Sequence, residues 1–260
     1  KSIKLIFSLP DEKIDNLPNT SAAFLNILFK DNTVLCTTAI SQTSFSLDKS
    51  SEKLWEEYVL KFFKKWLGDV ALEQGEDGSV AGVVPAPCGT VSFISAAWGD
   101  AATIVPWTLY QCYGDKRILE RQYPSMRKWL DFIATQSDGY LWDGGWHFGD
   151  WLGLDAYEGS YTGATEKALI ATAYSAYSTY LTMKTAEVLG LERDAAELNQ
   201  LYRKIVRAYR REYITPNGKL AVRTQTAHVL TLYFGLAEEA HRSRLKRDLL
   251  ALIEERGGHL

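Results

Sequence analysis

The chain has 260 residues and carries 29 Lys and Arg against 32 Asp and Glu, which gives a formal net charge of −3. This near balance argues against a general polyanion binder, so we expect no nucleic acid among its partners. Apolar residues make up 46% of the chain, which excludes a wholly disordered protein. No apolar run approaches the roughly 18 residues that suggest a membrane span, so we expect no membrane partner.

Cysteine usage gives no sign of a metal site or a cofactor. The three cysteines, Cys36, Cys88 and Cys112, cannot form a disulfide framework, and none falls in a CxxC or other metal-ligand spacing. The sequence also lacks the common nucleotide-binding and metalloprotease motifs. We therefore expect no cofactor. Lys4 interrupts the first apolar run, so we expect no signal peptide here, and the compartment stays open.

The first 51 residues differ from the rest of the chain. Residues 1–9 alternate apolar and polar side chains, which predicts a short strand. Pro10, Pro18 and Asn19 interrupt this pattern, and residues 36–51 form a polar stretch rich in Ser and Thr without a clear period. We therefore predict an irregular N-terminal segment over residues 1–51 that contains one candidate strand.

From Glu52 onward the chain is predicted to be helical. Apolar side chains recur at steps of three and four residues, and turn residues such as Gly190 and Pro216 separate the periodic stretches. Pro124 is expected in the first turn of its helix. The predicted helices cover about residues 55–70, 96–113, 126–133, 170–189, 195–209, 224–234 and 238–255.

Two neighbouring predicted helices differ in the faces that they bury. Helix 170–189 carries apolar or small side chains on most faces and should be buried, whereas helix 195–209 carries Arg203, Lys204, Arg207 and Arg210 and should lie outside. An α/α toroid requires this alternation of inner and outer helices, although an ordinary helical bundle fits the periodicity equally well. We predict an all-α domain over residues 52–260, an (α/α) toroid of helical hairpins that is incomplete.

The chemistry is expected in a loop rich in tryptophan, glycine and aspartate. Residues 129–166 hold seven acids, nine aromatic residues and no Lys or Arg. Aromatic faces stack on the C–H faces of a sugar, and carboxylates accept hydrogen bonds from its hydroxyls. Trp, Gly and Asp also occur together at residues 97–101. We therefore predict a carbohydrate-binding site, and its candidate residues are Trp98, Asp100, Trp146, His147, Asp150 and Trp151.

The other tryptophans have a simpler interpretation. Trp55, Trp66, Trp107 and Trp129 lie on apolar helical stripes and are expected to pack in the core. Asp followed by Gly at residues 77–78 and 138–139 is typical of turns. The site prediction therefore depends on the Trp and Asp pairs that stand at element boundaries.

An ordered series of motifs extends over residues 53–260. The series consists of Asp77-Gly78-Ser79-Val80, Ala97-Trp98-Gly99-Asp100-Ala101, Tyr113-Gly114-Asp115, Gly149-Asp150-Trp151-Leu152, Thr165-Glu166-Lys167-Ala168-Leu169, Gln225-Thr226-Ala227 and Gly258-His259-Leu260. With these motifs in this order, the sequence resembles the bacterial and fungal α-L-rhamnosidases of glycoside hydrolase family 78.

The resemblance implies a six-hairpin toroid and the inverting hydrolysis of terminal α-L-rhamnosides. It implies that Trp98 and Trp151 line a rhamnose pocket, with Asp100 and Asp150 as nearby polar groups. Family members carry their general acid on a glutamate just before the helix that begins here near Glu52, and residues 36–51 contain no glutamate. The family's general base lies in a Trp-Glu segment beyond the Gly-His-Leu motif. We therefore leave the catalytic residues unassigned.

Three hypotheses of function remain open. The first is a rhamnosidase-like domain with a partial sugar pocket and little or no activity. The second is an active glycosidase that uses other carboxylates, among them Asp100, Asp143, Asp150 or Glu166. The third is a non-catalytic domain that binds a sugar or has a structural role, and an exposed inner helix face would then seek a partner.

Overall fold

The computed structural model describes residues 3–30, 33–86, 93–153 and 155–258. Cys88, His259 and Leu260 lie outside these residues. The described elements are, in chain order, β1 (Ile3–Ser8), α1 (Asp11–Ile14), β2 (Thr20–Lys30), β3 (Thr33–Gln42), α2 (Ser50–Glu73), α3 (Ala101–Tyr113), α4 (Lys116–Thr135), β4 (Ser137–Asp138), β5 (Leu141–Trp142), α5 (Lys167–Leu189), α6 (Glu192–Tyr213), α7 (Gln225–Tyr233) and α8 (Glu239–Glu255). The chain divides into two compact units, Lys1–Trp66 and Leu67–Leu260, and the boundary between them lies inside α2.

The first unit contains an antiparallel sheet in the order β1-β2-β3. The strand predicted over residues 1–9 is confirmed by β1, which pairs with β2 from Ile3 opposite Phe29 to Ser8 opposite Phe24. The prediction of irregular structure is wrong for β2 and β3, which are eleven and ten residues long and pair with each other. The Thr-rich part of residues 36–51 has no alternating pattern, but β-branched threonines favour strands, and pairing with β2 supplies the backbone partners.

The sheet provides the packing surface for the first turns of α2 within this unit. Trp55 is 5% exposed, and its Nε1 donates a hydrogen bond to the Phe24 backbone oxygen at 2.8 Å. Leu17, Ala23 and Val59 complete a buried cluster with it. The prediction that Trp55 packs in a core is therefore confirmed.

The second unit is built from helical hairpins. The loops that join α3 to α4, α5 to α6 and α7 to α8 have two, two and five residues, and the helices of each pair contact one another. Such short connections are typical of antiparallel helix pairs. Gly190, at φ 75°, ends α5 in the left-handed conformation, as the sequence predicts. No helix within the described ranges is apolar and long enough to cross a bilayer.

α5 lies at the centre of the second unit and contacts α3, α4, α6 and α7. It buries residues on most of its faces, whereas α6 keeps Arg203, Lys204 and Arg207 exposed. The inner and outer assignments made from the sequence are therefore confirmed. The main cluster around α5 includes Leu169, Ile170, Ala173, Ala176, Ile205, Tyr209, Leu230 and Leu245.

One helix begins earlier than predicted. α4 starts at Lys116, where the Asp115 side chain accepts a hydrogen bond from the Arg117 backbone N–H, so Pro124 lies inside the helix rather than in its first turn. The first turns bury Ile118 and Leu119. Their burial offsets the hydrogen bond that the proline removes.

Candidate functional site

A buried carboxylate holds the turn that carries Trp98. Asp100 is fully buried beside the first turn of α3, and its Oδ2 accepts a hydrogen bond from the Ala97 backbone N–H at 2.8 Å. Its Oδ1 accepts from Trp129 Nε1 at 3.0 Å and from Ser178 Oγ at 2.5 Å. The pKa of Asp100 is raised above its ordinary value, because the effect of burial exceeds the opposing effect of these hydrogen bonds. Asp100 therefore holds the turn that carries Trp98, and its predicted role beside a sugar stays a prediction.

Hydrogen bonds of His147 and Ser95 join the loop between β5 and α5, residues 143–166, to the turn that carries Trp98. The Ala96 backbone N–H donates to His147 Nδ1 at 3.1 Å, so the ring proton is on Nε2, which lies 3.2 Å from the Gly144 oxygen. The Phe148 backbone N–H donates to Ser95 Oγ at 3.2 Å. His147 is 6% exposed, and burial lowers its pKa. His147 therefore joins the loop to the turn at Ala96, and its predicted contact with a sugar stays a prediction.

Phe148 brings Trp98 and Trp151 together. Its ring centroid lies 4.9 Å from that of Trp98 and 4.8 Å from that of Trp151, so both indoles contact one phenyl ring. Trp146 and Phe93 pack against the same phenyl ring, with centroid distances of 4.5 Å and 4.6 Å. These five residues form the Phe148 cluster. Three of the six candidate residues from the sequence thus meet in one place.

Exposure differs across the Phe148 cluster. Trp98 is half-buried, whereas Trp151 is 42% and Trp146 55% exposed. Lys167 Nζ lies 5.6 Å from the ring centroid of Trp146, a cation–π contact that occupies part of this indole. Tyr161 extends the exposed edge, with its ring centroid 5.4 Å from that of Trp151. The cluster therefore offers partly exposed indole surface for stacking, mainly at Trp151.

A tight turn presents Trp151. The Trp151 backbone N–H donates to the Gly149 oxygen at 3.0 Å, and the Gly153 N–H donates to the Asp150 oxygen at 3.2 Å. Gly149 has a φ of 74°, a conformation that glycine adopts without strain. A bridge between Trp151 and Thr162 joins this turn to the far side of the loop. Backbone hydrogen bonds therefore hold the turn from which the Trp151 side chain projects.

Asp150 lies on a polar side of the same turn. Its Oδ2 accepts hydrogen bonds from Thr226 Oγ1 at 2.6 Å and from Thr165 Oγ1 at 3.3 Å, whereas no described side chain donates to Oδ1. Gly163 permits a close approach here, because a Cβ atom would lie 3.0 Å from Asp150 Oδ2. Oδ1 therefore retains acceptor capacity. A cavity of about 210 Å³ is lined by Asp150, Leu152, Gly153, Asp155, Gln225, Thr226 and Arg256.

The other two carboxylates considered from the sequence lie near Tyr213. Burial raises the pKa of Tyr213, and the negative charges of Glu166, Glu212 and Asp143 raise it further. Asp143 and Glu166 are exposed. Across the part of the chain that the structure describes, no group of three or more His, Cys, Asp or Glu could hold a metal ion.

Sequence reasoning missed Phe93, Phe148 and Tyr161. Phe148 lies in the predicted loop, directly after His147. The only sequence signal for it was that residues 129–166 hold nine aromatic residues. That count could not show which ring contacts both indoles, because this contact depends on how the loop folds back on residues 95–98. The hydrogen bonds of His147 and Ser95 create this contact.

A profile of the bacterial alpha-L-rhamnosidase 6 hairpin glycosidase domain matches residues 52–260. The chain belongs to this rhamnosidase family. A second profile, of a family of unknown function, matches residues 1–67, so the two matches overlap in the first turns of α2. The family assignment agrees with the resemblance found in the sequence and with the observed helical hairpins.

Named relatives in the rhamnosidase family are much longer than this chain. An alpha-L-rhamnosidase of Streptomyces avermitilis is 40% identical over 202 residues, which cover 77% of this chain and 18% of the relative. An alpha-L-rhamnosidase of Formosa agariphila is 36% identical over 212 residues, which cover 78% of this chain and 22% of the relative. The chain thus spans about a fifth of the length of these relatives.

Solved rhamnosidase structures share the fold. The Streptomyces avermitilis alpha-L-rhamnosidase complexed with L-rhamnose has a TM-score of 0.69 and 38% identity, and the match covers 77% of this chain and 18% of that one. The native enzyme of Aspergillus terreus has a TM-score of 0.73 and 30% identity, and the match covers 78% and 24%. The six-hairpin glycosidase architecture predicted for this chain is therefore confirmed as its fold class.

The turn at Gly99 is expected to tolerate no side chain. A Cβ atom at Gly99 would lie 2.5 Å from Cη2 of Trp129, which is fully buried. Gly99→Ala should therefore lower the free energy of unfolding by about 1–3 kcal/mol. The matched control is Gly68→Ala in α2, where no atom lies within 4 Å of the new Cβ. Urea unfolding followed by circular dichroism measures both, and equal stabilities would contradict the prediction.

His147 is expected to make stability depend on pH. Burial lowers its pKa below 6.5, so the unfolded chain takes up a proton that the folded chain refuses. The contribution of neutral His147 to the free energy of unfolding is complete above pH 6.5. It is lost as the pH falls through the pKa of His147 in the folded chain. His147→Asn retains an acceptor for the Ala96 N–H. It should reduce the slope of the free energy of unfolding against pH by up to about 1.4 kcal/mol per pH unit.

Urea unfolding at a series of pH values from 7 downward measures this slope. Some slope should remain in the variant, because burial also lowers the pKa of His228. Identical slopes for the wild type and His147→Asn would show that His147 does not contribute.

Proposed function

We propose that residues 52–260 are part of an α-L-rhamnoside hydrolase domain and that Trp98 and Trp151 form a wall of its L-rhamnose pocket. The observation that carries the proposal is the contact of both indoles with the Phe148 ring, at 4.9 Å and 4.8 Å between centroids. A wall of this kind binds the apolar face of a monosaccharide. Membership in the rhamnosidase family and the relative solved with L-rhamnose support the choice of sugar.

Polar recognition is assigned to Asp150. The Oδ1 atom of this carboxylate has no donor among the described side chains, so it can accept a hydrogen bond from a sugar hydroxyl. Thr226 and Thr165 hold the other oxygen and keep the carboxylate in one orientation. Stacking on Trp151 and hydrogen bonding to Asp150 would thus come from neighbouring residues of one rigid turn.

Hydrolysis with inversion requires a carboxylic acid on the leaving group and a carboxylate that activates water. Neither role is assigned to a residue of this chain, because Asp100 is engaged by three protein donors and residues 36–51 contain no glutamate. This observation favours a second candidate function, a sugar-binding domain without its own catalytic activity. The two candidates share the sugar site and differ in turnover.

Two measurements on the whole chain separate these functions. Titration with L-rhamnose, followed by tryptophan fluorescence, should give a saturable change for either candidate, and absence of binding would reject both. Release of p-nitrophenol from an aryl α-L-rhamnoside above the buffer rate, retained by Asp131→Ala and abolished by Asp150→Asn, would establish hydrolysis. Binding without release would establish the non-catalytic function.

The domain organisation is part of the proposal. We assign residues 1–51 to an N-terminal segment and residues 52–260 to the glycosidase domain. The start of the rhamnosidase-family match at residue 52 supports this boundary, and the sheet of β1, β2 and β3 lies before it.

A further inference from the structure

A groove lies along α6, away from the Phe148 cluster in sequence. It has a volume of about 660 Å³ and is formed by α6, the turn after it and the start of α8. We call it the α6 groove. The residues that define it are Tyr202, Arg203, Arg207, Arg211, Ile214 and His241.

Three arginines of the groove form a row. Arg203, Arg207 and Arg211 are spaced four residues apart and therefore lie on one face of α6, about 6 Å from one another along the helix axis. All three are exposed, and none has an ion pair or side-chain hydrogen bond within the described ranges. Like charges at this spacing repel and destabilise a helix. An anion in the groove would relieve that repulsion.

A fourth arginine is fixed beside this row. Arg210 Nε donates to the Leu236 oxygen at 2.7 Å and Nη2 donates to the Ala237 oxygen at 3.1 Å. Its Nη1 lies 3.7 Å from Glu238 Oε1, and the Glu238 side chain is 60% exposed. This single exposed carboxylate is the acid among the groove residues. The lining therefore carries an excess of positive charge, although the whole chain has a net charge of −3.

Apolar and aromatic surface accompanies this charge. Tyr202, Val206 and Ile214 contribute to the lining of the groove. Its end is shaped by Gly218, where a Cβ atom would lie 2.5 Å from Cδ2 of His241. Gly218 has a φ of 78°, so the turn brings its backbone against the imidazole. The groove thus combines cationic groups with a defined surface for an uncharged part of a ligand.

We propose that the α6 groove binds an acidic oligosaccharide, one whose sugar units carry carboxylates. A guanidinium binds a carboxylate with two parallel hydrogen bonds. Arg203 and Arg211 lie about 12 Å apart along the helix axis, so a ligand with several charges along its length can engage the row. The choice of a glycan over an acidic peptide rests on the proposed function, which makes carbohydrates the substrates of this domain.

The test is calorimetric titration of the whole chain with tetragalacturonate at low salt. Binding should weaken at least tenfold in Arg207→Glu/Arg211→Glu, since two attractive charges become repulsive. Lys246→Glu/Arg247→Glu is the matched control, because it changes the net charge equally at two exposed residues of α8 and should alter affinity less than twofold. Arg207→Gln/Arg211→Gln should also weaken the binding of tetragalacturonate. This variant replaces the charge-reversal variant in the test if charge reversal impairs folding.

Several results would overturn the proposal. Absence of tetragalacturonate binding would do so, as would an equal loss of affinity in the control variant. Tighter binding of a tetraglutamate peptide than of tetragalacturonate would assign the groove to an acidic protein segment. Trp151→Ala should bind tetragalacturonate normally, so a failure of the L-rhamnose site and a failure of the α6 groove can be distinguished.

Discussion

Asp100→Ala is expected to lower the free energy of unfolding by about 3–5 kcal/mol, the largest stability effect of any substitution considered. The reason is that one buried carboxylate accepts from the Ala97 N–H, from Trp129 Nε1 and from Ser178 Oγ. Alanine leaves these three buried donors without their acceptor and creates a cavity. Urea unfolding at pH 7, followed by circular dichroism, measures the loss.

The matched control is Asp131→Ala, which removes an exposed carboxylate from α4 and should change stability by less than about 0.5 kcal/mol. A loss below 1 kcal/mol in Asp100→Ala, with the control unchanged, would show that the three donors find other partners or water.

The same carboxylate gives a pH test with a defined sign. Burial raises the pKa of Asp100 above 3.8, so the folded chain holds this proton more tightly than the unfolded chain. The contribution to stability is complete below 3.8 and is lost as the pH rises through the folded-state pKa. Asp100→Asn removes the titrating carboxyl. The difference in unfolding free energy between wild type and variant should therefore change between pH 3.8 and the folded-state pKa of Asp100, and it should be constant at higher pH.

Trp151→Ala is expected to weaken L-rhamnose binding at least tenfold, the largest effect predicted at the proposed sugar site. Trp151 is 42% exposed, and the turn that carries it is fixed by backbone hydrogen bonds, so the indole is already oriented before the sugar arrives. Loss of the stacking surface removes about 1.5–3 kcal/mol of binding free energy, by analogy with other buried aromatic contacts. Isothermal titration with L-rhamnose measures the change.

The control for this variant is Tyr157→Ala, which removes another exposed aromatic ring, 77% exposed, from the same loop. Its affinity for L-rhamnose should stay within twofold of the wild type. Equal losses in both variants would indicate a general effect on the loop, and an unchanged affinity in Trp151→Ala would remove this indole from the pocket.

Helices with a regular apolar stripe could be predicted from the sequence. α5 and α6 follow their periodic patterns, and the left-handed Gly190 ends α5 where the sequence places the end. β2 and β3 were not recognised, because their strand pairing depends on partners that lie between 3 and 22 residues apart. The start of α4 was misplaced because Pro124 is tolerated inside that helix, where a proline normally signals the first turn.

The residue types of the candidate site could be predicted, but their roles could not. Trp98 and Trp151 were singled out because each stands beside an aspartate at an element boundary, and both contact the Phe148 ring. The two aspartates look alike in the sequence, yet Asp100 is fully buried whereas Oδ1 of Asp150 has no donor among the described residues. Only the tertiary environment, with Trp129 and Ser178 brought from remote helices, separates them.

The network around Asp100 has a consequence for engineering. The loop that presents Trp98 is anchored by an indole of α4 and a hydroxyl of α5, which lie 29 and 78 positions further along the chain. Grafting residues 95–100 onto another helical scaffold would therefore fail unless Trp129 and Ser178 were transplanted in register. Directed evolution of sugar selectivity should then find productive changes in the Trp151 loop sooner than beside Trp98, where each exchange must be matched at two distant sites.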